Sequence, residues 1–265
     1  SIHDTRSRSM CRDTMLGAMR LFRSKKSSSK TLGTCRIPLN EEERIACRQS
    51  GMIPHASEIT WRVLRIMAEL VEGFQMLTTV DREVTIFGSS RAHPNSHWYK
   101  EAHQLGRMLG KDGFTIVTGG GPGIMEAANK GAFEVGAESV GLNIQLPREQ
   151  YLNAYVTRSH GFHYFFTRKV MLAAAAQAYV IFPGGYGTLD ETFELMTLVQ
   201  TGKSSRMPII LVGKEFWQPL IAWLEVSVYG TQDAIDYEDL RILTLVDSAK
   251  EAYDIVVTSP TRELF

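Results

Sequence analysis

The sequence has few cysteines, no excess of charge of either sign and no long hydrophobic run that is free of turn residues. Its three cysteines, Cys11, Cys35 and Cys47, form no CxxC pair. Neither a disulfide framework nor a zinc site is therefore expected, and a reducing, cytoplasmic location fits best. The 29 basic residues balance 29 acidic ones. No overall charge points to nucleic acid or a membrane, and we expect neither as a partner.

The longest uncharged stretch covers residues 170–189, but Pro183, Gly184 and Gly185 interrupt it. We interpret it as the end of a buried helix, a strand and a turn rather than a membrane span. The N-terminal residues contain no apolar run typical of a signal peptide. Hydrophobic residues make up 44% and charged residues 22%, which is typical of a globular protein with a substantial core.

The N-terminal part differs in composition from the rest. Residues 1–36 contain nine Lys or Arg and two Asp, a mix that buries too little apolar surface to offset the entropy of ordering. We predict a flexible basic arm over residues 1–56, and we expect residues 1–36 of it to be dispensable for chemistry. Apolar residues then recur at helical spacing, which predicts a helix over residues 57–80 with Ser57 as its N-cap. We expect this helix to pack on the following domain or on a partner subunit.

Residues 81–265 alternate short apolar runs with helical periods. This pattern predicts an α/β fold, a Rossmann-like three-layer sandwich with a mainly parallel sheet and an N-terminal helical extension. A single helical stripe is expected from Trp217 to Val228. The predicted strands cover residues 84–87, 115–118, 139–142, 178–182, 209–212 and 242–246.

Two glycine-rich turns, each between a strand and a helix, carry most of the functional information. They read TGGGPGIMEAAN (residues 118–129) and FPGGYGTLDE (residues 182–191). Backbone N–H groups at such turns approach an anion closely, and the helix N-terminus adds partial positive charge. No frame satisfies the GxGxxG fingerprint of dinucleotide folds, and the spacing before Gly202, Lys203 and Ser204 does not form a P-loop. The turns therefore predict another kind of phosphate site.

Charged residues accompany the second turn. Asp190 and Glu191 are expected in the first turn of its helix, where they would also favour the helix dipole, and Thr188 with Glu191 has the spacing of a capping box. Arg168 and Lys169 lie on the preceding helix, and such a pair is often a solvated surface. A carboxylate and an arginine beside a bound phosphate nevertheless suit glycosidic chemistry.

These motifs resemble the LOG (lonely guy) family, whose members often carry the label "possible lysine decarboxylase". The resemblance covers roughly residues 83–224, including FTRK at residues 166–169, and PGGxGTxxE is met in full at residues 183–191. Compact members read GGGxxGxMG, whereas here Glu126 follows Met125. With LNIQLPREQYLN at residues 142–153, the chain resembles the longer branch of the family.

The resemblance implies an N-glycosidase that releases the free base and ribose 5-phosphate from a nucleoside 5′-monophosphate, such as AMP or a cytokinin riboside monophosphate. Arg168 and Glu191 are the implied catalytic residues. An even-numbered homo-oligomer is implied as well, and neither a cofactor nor a metal is expected. The predicted substrate-binding residues are Ser89, Ser90, Gly120, Gly121, Gly123, Met125, Arg168, Lys169, Gly184, Gly185, Gly187, Thr188 and Glu191.

Among these residues, Gly185, Gly187 and Thr188 are expected to hold the 5′-phosphate, with the first glycine turn as the opposite wall. One alternative is a nucleotide-binding sensor or carrier without turnover, which would not need the carboxylate of Glu191. A second alternative is amino-acid decarboxylation with pyridoxal phosphate on Lys169 or Lys203, for which proximity is the only argument. A third alternative is an interaction scaffold, and the basic arm is the only feature that suggests it.

Overall fold

The computed structural model describes residues 56–145, 152–174 and 176–261. The predicted arm therefore lies outside the described residues, apart from its last position. The chain divides into two compact units, Ser1–Ile59 and Thr60–Phe265. Of the first unit only the beginning of a helix is described, and the second unit carries the fold.

Parallel strands form one sheet in the second unit. The strands are β1 (Glu83–Phe87), β2 (Thr115–Thr118), β3 (Ser139–Ile144), β4 (Arg158–Phe162), β5 (Ala178–Ile181), β6 (Ile209–Val212) and β7 (Leu243–Val246). Their order is β4-β3-β2-β1-β5-β6-β7, and every pairing is parallel. The chain thus builds outwards from β1 in one direction and then from β5 in the other. The predicted α/β class with a parallel sheet is confirmed.

Helices cover both faces of the sheet and complete three layers. They are α1 (Ala56–Leu77), α2 (His97–Lys111), α3 (Ile124–Phe133), α4 (Phe165–Ala174), α5 (Tyr186–Gln200), α6 (Lys214–Trp223) and α7 (Ala249–Val257). One core cluster joins α2, α3 and α7 to the sheet, and the other joins α1, α4, α5 and α6 to the opposite face. Within the described ranges, no helix combines the length and the apolar character needed to cross a membrane.

The N-terminal helix is partly integrated into the domain. Leu77 is fully buried, and Leu70 and Phe74 pack against the same core cluster. Nearer its beginning, Trp61 is 72% exposed and Met67 is 56% exposed. The helix begins at Ala56, so Ser57 lies in its first turn and not at the predicted N-cap.

Two predictions of local structure were wrong. β4 was not predicted because RSHGF is an edge strand whose residues are mostly half-buried or exposed, so it lacks the apolar run of a central strand. The second concerns the single helix expected from Trp217 to Val228, since the α-helix there ends at Trp223. It continues as a π-helix over Leu224–Thr231, followed by a 3₁₀ helix over Tyr237–Arg241.

Candidate functional site

The loops after β1, β2 and β5 open at the carboxyl edge of the sheet. β1 pairs with both β2 and β5, and the β1–β5 boundary is where the order of chain growth reverses. Such a switch point is where open α/β sheets bind ligands. A cleft of about 530 Å³ lies there, which we call the strand-edge cleft. It is lined by Phe87, Gly88, Ser89, Ser90, Arg91, Gly119, Met125, Phe165, Arg168, Gly185, Tyr186, Gly187, Thr188, Asp190 and Glu191.

The backbone of Ser89 ties the two glycine turns together. Its N–H donates to the carbonyl of Pro183 at 3.1 Å, and its carbonyl accepts from the N–H of Ile124 at 3.0 Å. Gly123 makes this approach possible, because a Cβ there would stand 2.3 Å from the Ser89 carbonyl oxygen and its φ is +72°. Only glycine adopts that conformation without strain. The three loops therefore hold each other in place.

The second glycine turn leads directly into α5 and leaves donors for an anion. Gly185 is the N-cap without a side-chain capping bond, and the first bond of the helix runs from the Leu189 N–H to the Gly185 carbonyl at 3.0 Å. The N–H groups of residues 185–188, which we call the phosphate cradle, have no acceptor in the part of the chain that is described. Free N–H groups and the positive end of the helix dipole together favour an anion.

The beginning of α5 corrects the predicted positions of the acidic residues. Because the helix begins at Tyr186, Asp190 and Glu191 lie in its second turn and not in the first, and Thr188 cannot serve as an N-cap. The Thr188 side chain instead packs against Gly184, where a Cβ would stand 2.1 Å from its hydroxyl oxygen. Gly184 therefore supports the phosphate cradle from behind and does not line the strand-edge cleft.

Arg168 reaches the cleft from the first turn of α4. Its Nε donates to the carbonyl of Leu142, within β3, at 2.9 Å. Its guanidinium also lies against Gly119, since a Cβ at that glycine would stand 2.6 Å from Nη2. Burial lowers the pKa of Arg168, and the charge of Glu191 acts in the opposite sense. An arginine remains a cation at neutral pH despite such burial, so the cleft holds a fixed positive charge.

Glu191 enters the cleft from α5. Burial raises the pKa of Glu191 to about 8. Lys169 and Arg168 lower this pKa through their charges, whereas Glu194 raises it through its charge and through a hydrogen bond. The pKa of the Glu191 carboxyl group is therefore well above its ordinary value before a ligand enters.

Lys169 lies behind Glu191 and does not line the cleft. Its Nζ is 2.8 Å from Oδ2 of Asp190 and 3.3 Å from Oε2 of Glu194. Burial lowers the pKa of Lys169, but the neighbouring carboxylates outweigh burial and the net shift is upwards. A protonated, paired lysine is a poor candidate for a Schiff base with pyridoxal phosphate. Lys203 is exposed beyond the far end of α5, so neither lysine fits that cofactor.

The first glycine turn faces the protein interior more than had been predicted. Gly120, Gly121 and Gly123 are buried and do not line the strand-edge cleft. Asn153 holds the turn from the side away from the cleft: its N–H donates to the Gly120 carbonyl at 2.9 Å, and its side-chain amide donates to the Gly121 carbonyl at 3.1 Å. These glycines therefore shape the loop, while their neighbours Gly119 and Met125 line the cleft.

Helix packing explains why Glu126 stands where compact members of the family have glycine. Glu126 accepts a hydrogen bond from the Tyr99 hydroxyl at 3.1 Å, which joins α3 to α2. Its side chain does not line the strand-edge cleft. We therefore attribute the glutamate at this position to helix packing and not to the chemistry of the site.

Eight of the predicted site residues converge on the strand-edge cleft, and five lie behind it. Within the described residues, no three His, Cys, Asp or Glu side chains are grouped to hold a metal ion. Most lining residues that the sequence analysis missed are neighbours of the motifs and would be found by extending them. The converging residues are Ser89, Ser90, Met125, Arg168, Gly185, Gly187, Thr188 and Glu191, and those behind are Gly120, Gly121, Gly123, Lys169 and Gly184.

The sheet order and the glycine turns at its carboxyl edge define a Rossmann-like α/β protein. A family model described as "Possible lysine decarboxylase" matches residues 125–256, about half of the chain. The chain belongs to this family, the LOG family, as the motifs predicted.

Characterised relatives carry names that agree with this family. The chain is 26% identical over 149 residues to the cytokinin riboside 5′-monophosphate phosphoribohydrolase of Rhodococcoides fascians, covering 54% of this chain and 74% of the relative. It is 27% identical over 175 residues to the enzyme of that name, LOG, from Oryza sativa subsp. japonica, covering 64% and 70%.

Solved structures share the fold. A Northeast Structural Genomics Consortium target is 27% identical with a TM-score of 0.51, covering 66% of this chain and 98% of that one. A molybdenum cofactor binding protein from Rippkaea orientalis is 20% identical with a TM-score of 0.52, covering 67% and 96%. At 20% identity, the similarity to the molybdenum cofactor binding protein concerns the fold alone.

Proposed function

We propose that this protein hydrolyses the N-glycosidic bond of nucleoside 5′-monophosphates, with AMP or a cytokinin riboside monophosphate as substrate. Water adds to the anomeric carbon, the bond to the base breaks with its electron pair going to the base, and ribose 5-phosphate remains. The observation that carries this proposal is the convergence of Arg168 and Glu191 on one cleft beside the phosphate cradle. The names of the relatives support the same reaction.

The phosphate cradle is assigned to the 5′-phosphate. Its N–H groups are oriented by the backbone of α5 before the ligand arrives, so binding costs little reorganisation. Gly185 and Gly187 are exposed, and apart from the adjoining backbone no described atom lies within 4 Å of where a Cβ would stand on either residue. A phosphate therefore has room to approach the backbone closely, and the Thr188 hydroxyl supplies a further donor.

The two catalytic roles follow from charge. As the bond to the base breaks, positive charge develops on the sugar, and the carboxylate of Glu191 stabilises it while orienting the attacking water. Electron density moves towards the departing base, where the guanidinium of Arg168 stabilises it. The bond from Arg168 to the Leu142 carbonyl fixes one edge of the guanidinium and leaves the other for the ligand.

The experiment tests whether cleavage requires the 5′-phosphate of the substrate. AMP is expected to be cleaved about a thousandfold or more faster than adenosine, because several charge-assisted hydrogen bonds of roughly 1.5–3 kcal/mol each position the sugar through the phosphate. Free base is measured from both compounds with the full-length protein. Cleavage of adenosine as fast as AMP would contradict the assignment of the cradle.

Glu191→Gln separates hydrolysis from binding alone. The variant keeps the shape of the side chain and removes its charge, so we expect base release to fall by at least about a hundredfold while AMP still binds. Nucleotide binding without base release by the unsubstituted protein would favour a sensor or carrier instead.

We further propose that the protein acts in the cytoplasm as an even-numbered homo-oligomer. The assembly is supported by apolar side chains that water would otherwise contact, among them Trp61 and Met67 on α1 and Phe165 on α4, each more than half exposed. Sedimentation of the full-length protein tests the assembly, and a monomer at micromolar concentration would contradict it.

A further inference from the structure

Arg91 lies in a turn that directly follows β1. The hydroxyl of Ser89 accepts from the Arg91 N–H at 3.1 Å, and the carbonyl of Ser89 accepts from the Ala92 N–H at 3.4 Å. A serine hydroxyl that binds the backbone two residues further on stabilises such a turn. These bonds use the backbone of Arg91 and leave its side chain available.

This turn runs beside the phosphate cradle. The loops after β1 and β5 stay paired beyond the strands, because the Ser89 N–H donates to the Pro183 carbonyl at 3.1 Å. Arg91 and Gly185 each follow that bond by two residues, which is at most about 7 Å along either chain. Both residues line the strand-edge cleft. The backbone of Arg91 is therefore held next to the free N–H groups of the cradle.

The guanidinium of Arg91 is not engaged by the protein. Among the described residues that line the cleft, Arg91 and Arg168 are the two cations. Arg168 is held by the Leu142 carbonyl and lies against Gly119. Arg91 is exposed, and its side chain makes no hydrogen bond or ion pair with any part of the chain that the structure describes. It is thus the cation of the cleft that is free to bind a ligand.

The charges around the cleft leave this role to Arg91. A phosphate monoester carries a charge of about −1.5 to −2 at neutral pH, whereas a helix N-terminus supplies only about half a positive charge. Lys169 lies behind the cleft and is engaged by Asp190 at 2.8 Å and by Glu194 at 3.3 Å. Arg168 is assigned to the departing base. A bound phosphate therefore needs a further cation.

We propose that Arg91 binds the 5′-phosphate beside the phosphate cradle and makes the site selective for phosphorylated ligands. Its planar guanidinium presents two parallel N–H donors to two phosphate oxygens, while the cradle donates to the remaining ones. This role rests on the proposed function, in which the substrate is a nucleoside 5′-monophosphate. Arg91 was not among the predicted site residues, since it belongs to neither glycine turn.

The first measurement is the affinity of the full-length protein for ribose 5-phosphate, determined by isothermal titration calorimetry. This ligand has no base to lose, so its binding does not depend on turnover. Arg91→Gln is expected to weaken binding about ten- to a hundredfold, because a charge-assisted pair of hydrogen bonds is lost. Arg91→Lys keeps the charge and loses the planar donor pair, so its loss is smaller.

Arg206→Gln is the matched control. Arg206 is exposed in the loop before β6, at the opposite edge of the sheet, and it does not line the cleft. Its substitution removes the same charge and is expected to leave the affinity for ribose 5-phosphate unchanged. Because the Arg91 side chain makes no bond within the described residues, Tm of Arg91→Gln is expected to stay within about 2 °C of the unsubstituted protein.

Base release separates a phosphate contact from a general defect. Arg91→Gln is expected to lower kcat/KM for AMP about ten- to a hundredfold. The value for adenosine is expected to stay within about twofold, because adenosine has no phosphate for Arg91 to bind. An equal loss for AMP and adenosine would show that Arg91 supports the fold or another part of the substrate, and it would overturn the proposal.

The two proposals fail by different results. An unchanged affinity for ribose 5-phosphate in Arg91→Gln overturns the role of Arg91, even if the protein cleaves AMP. No binding of ribose 5-phosphate by the unsubstituted protein at millimolar concentration overturns it as well. Absence of base release from any nucleotide overturns the proposed hydrolysis, whereas a selective loss of affinity for ribose 5-phosphate in Arg91→Gln still supports the phosphate contact.

Discussion

Glu69 connects the N-terminal helix to the helix that carries Arg168. Its buried carboxylate accepts from the N–H of His163 at 2.9 Å, the N–H of Tyr164 at 3.4 Å and the hydroxyl of Thr167 at 2.6 Å. These donors are at the beginning of α4, so a side chain from α1 caps α4. We predict that Glu69→Ala destabilises the protein and disturbs the site.

The magnitude follows from the groups left without partners. Two backbone N–H groups lose their acceptor, at about 1–3 kcal/mol each when buried, and the helix dipole loses a carboxylate worth about 0.3–1 kcal/mol. The Thr167 hydroxyl keeps its bond to the Tyr164 carbonyl at 2.8 Å. We expect a loss of about 3 kcal/mol in the free energy of unfolding. For a domain of roughly 200 residues this lowers Tm by about 6–12 °C.

Urea unfolding and base release are the assays, and Glu72→Ala is the control. Glu72 lies one turn further along α1, is exposed, and has its Oε2 3.8 Å from Nε2 of His160, so its loss is expected to cost below about 0.5 kcal/mol. Under conditions where both variants are folded, only Glu69→Ala is expected to release base more slowly, since Arg168 lies in the turn that Glu69 caps. Equal unfolding free energies for the two variants would refute the reasoning.

Two further predictions concern residues in the cleft. Arg168→Lys loses the hydrogen bond to the Leu142 carbonyl and the planar guanidinium group, so kcat for AMP is expected to fall about 10²–10³-fold. The control is Arg107→Lys on the exposed face of α2, which is expected to leave kcat unchanged. A decrease in kcat below about fivefold for Arg168→Lys would argue against a catalytic role. Thr188→Val removes a hydroxyl at nearly constant volume, and kcat/KM for AMP is expected to fall about tenfold with an unchanged circular dichroism spectrum. The exposed Thr197→Val on the same helix is its control, and equal rates for the two variants would exclude the hydroxyl from the phosphate site.

Local patterns were sufficient to predict the central part of the fold. The strands β1, β2, β3, β5 and β6 are short, largely apolar and almost fully buried runs because both faces of a parallel sheet are covered. The glycine turns could also be recognised, since tight strand-to-helix turns require glycine wherever two backbones meet. The edge strand β4 has no such run, because one of its sides has no neighbouring strand among the described residues and its side chains alternate in burial.

The sequence by itself determined the class of fold, the two turns and the identity of Arg168 and Glu191 as candidates, because these depend on short-range periodicity and on a contiguous motif. Only the tertiary structure decided which turn faces the cleft, since Asn153 binds the first turn from the other side. It also decided that Glu69 caps a helix more than ninety residues away. Such contacts leave no local pattern, because the chain closes long loops to make them. The side-chain environment of Glu191 likewise depends on α4 packing beside α5, and spacing along the chain does not encode burial or charge across that contact.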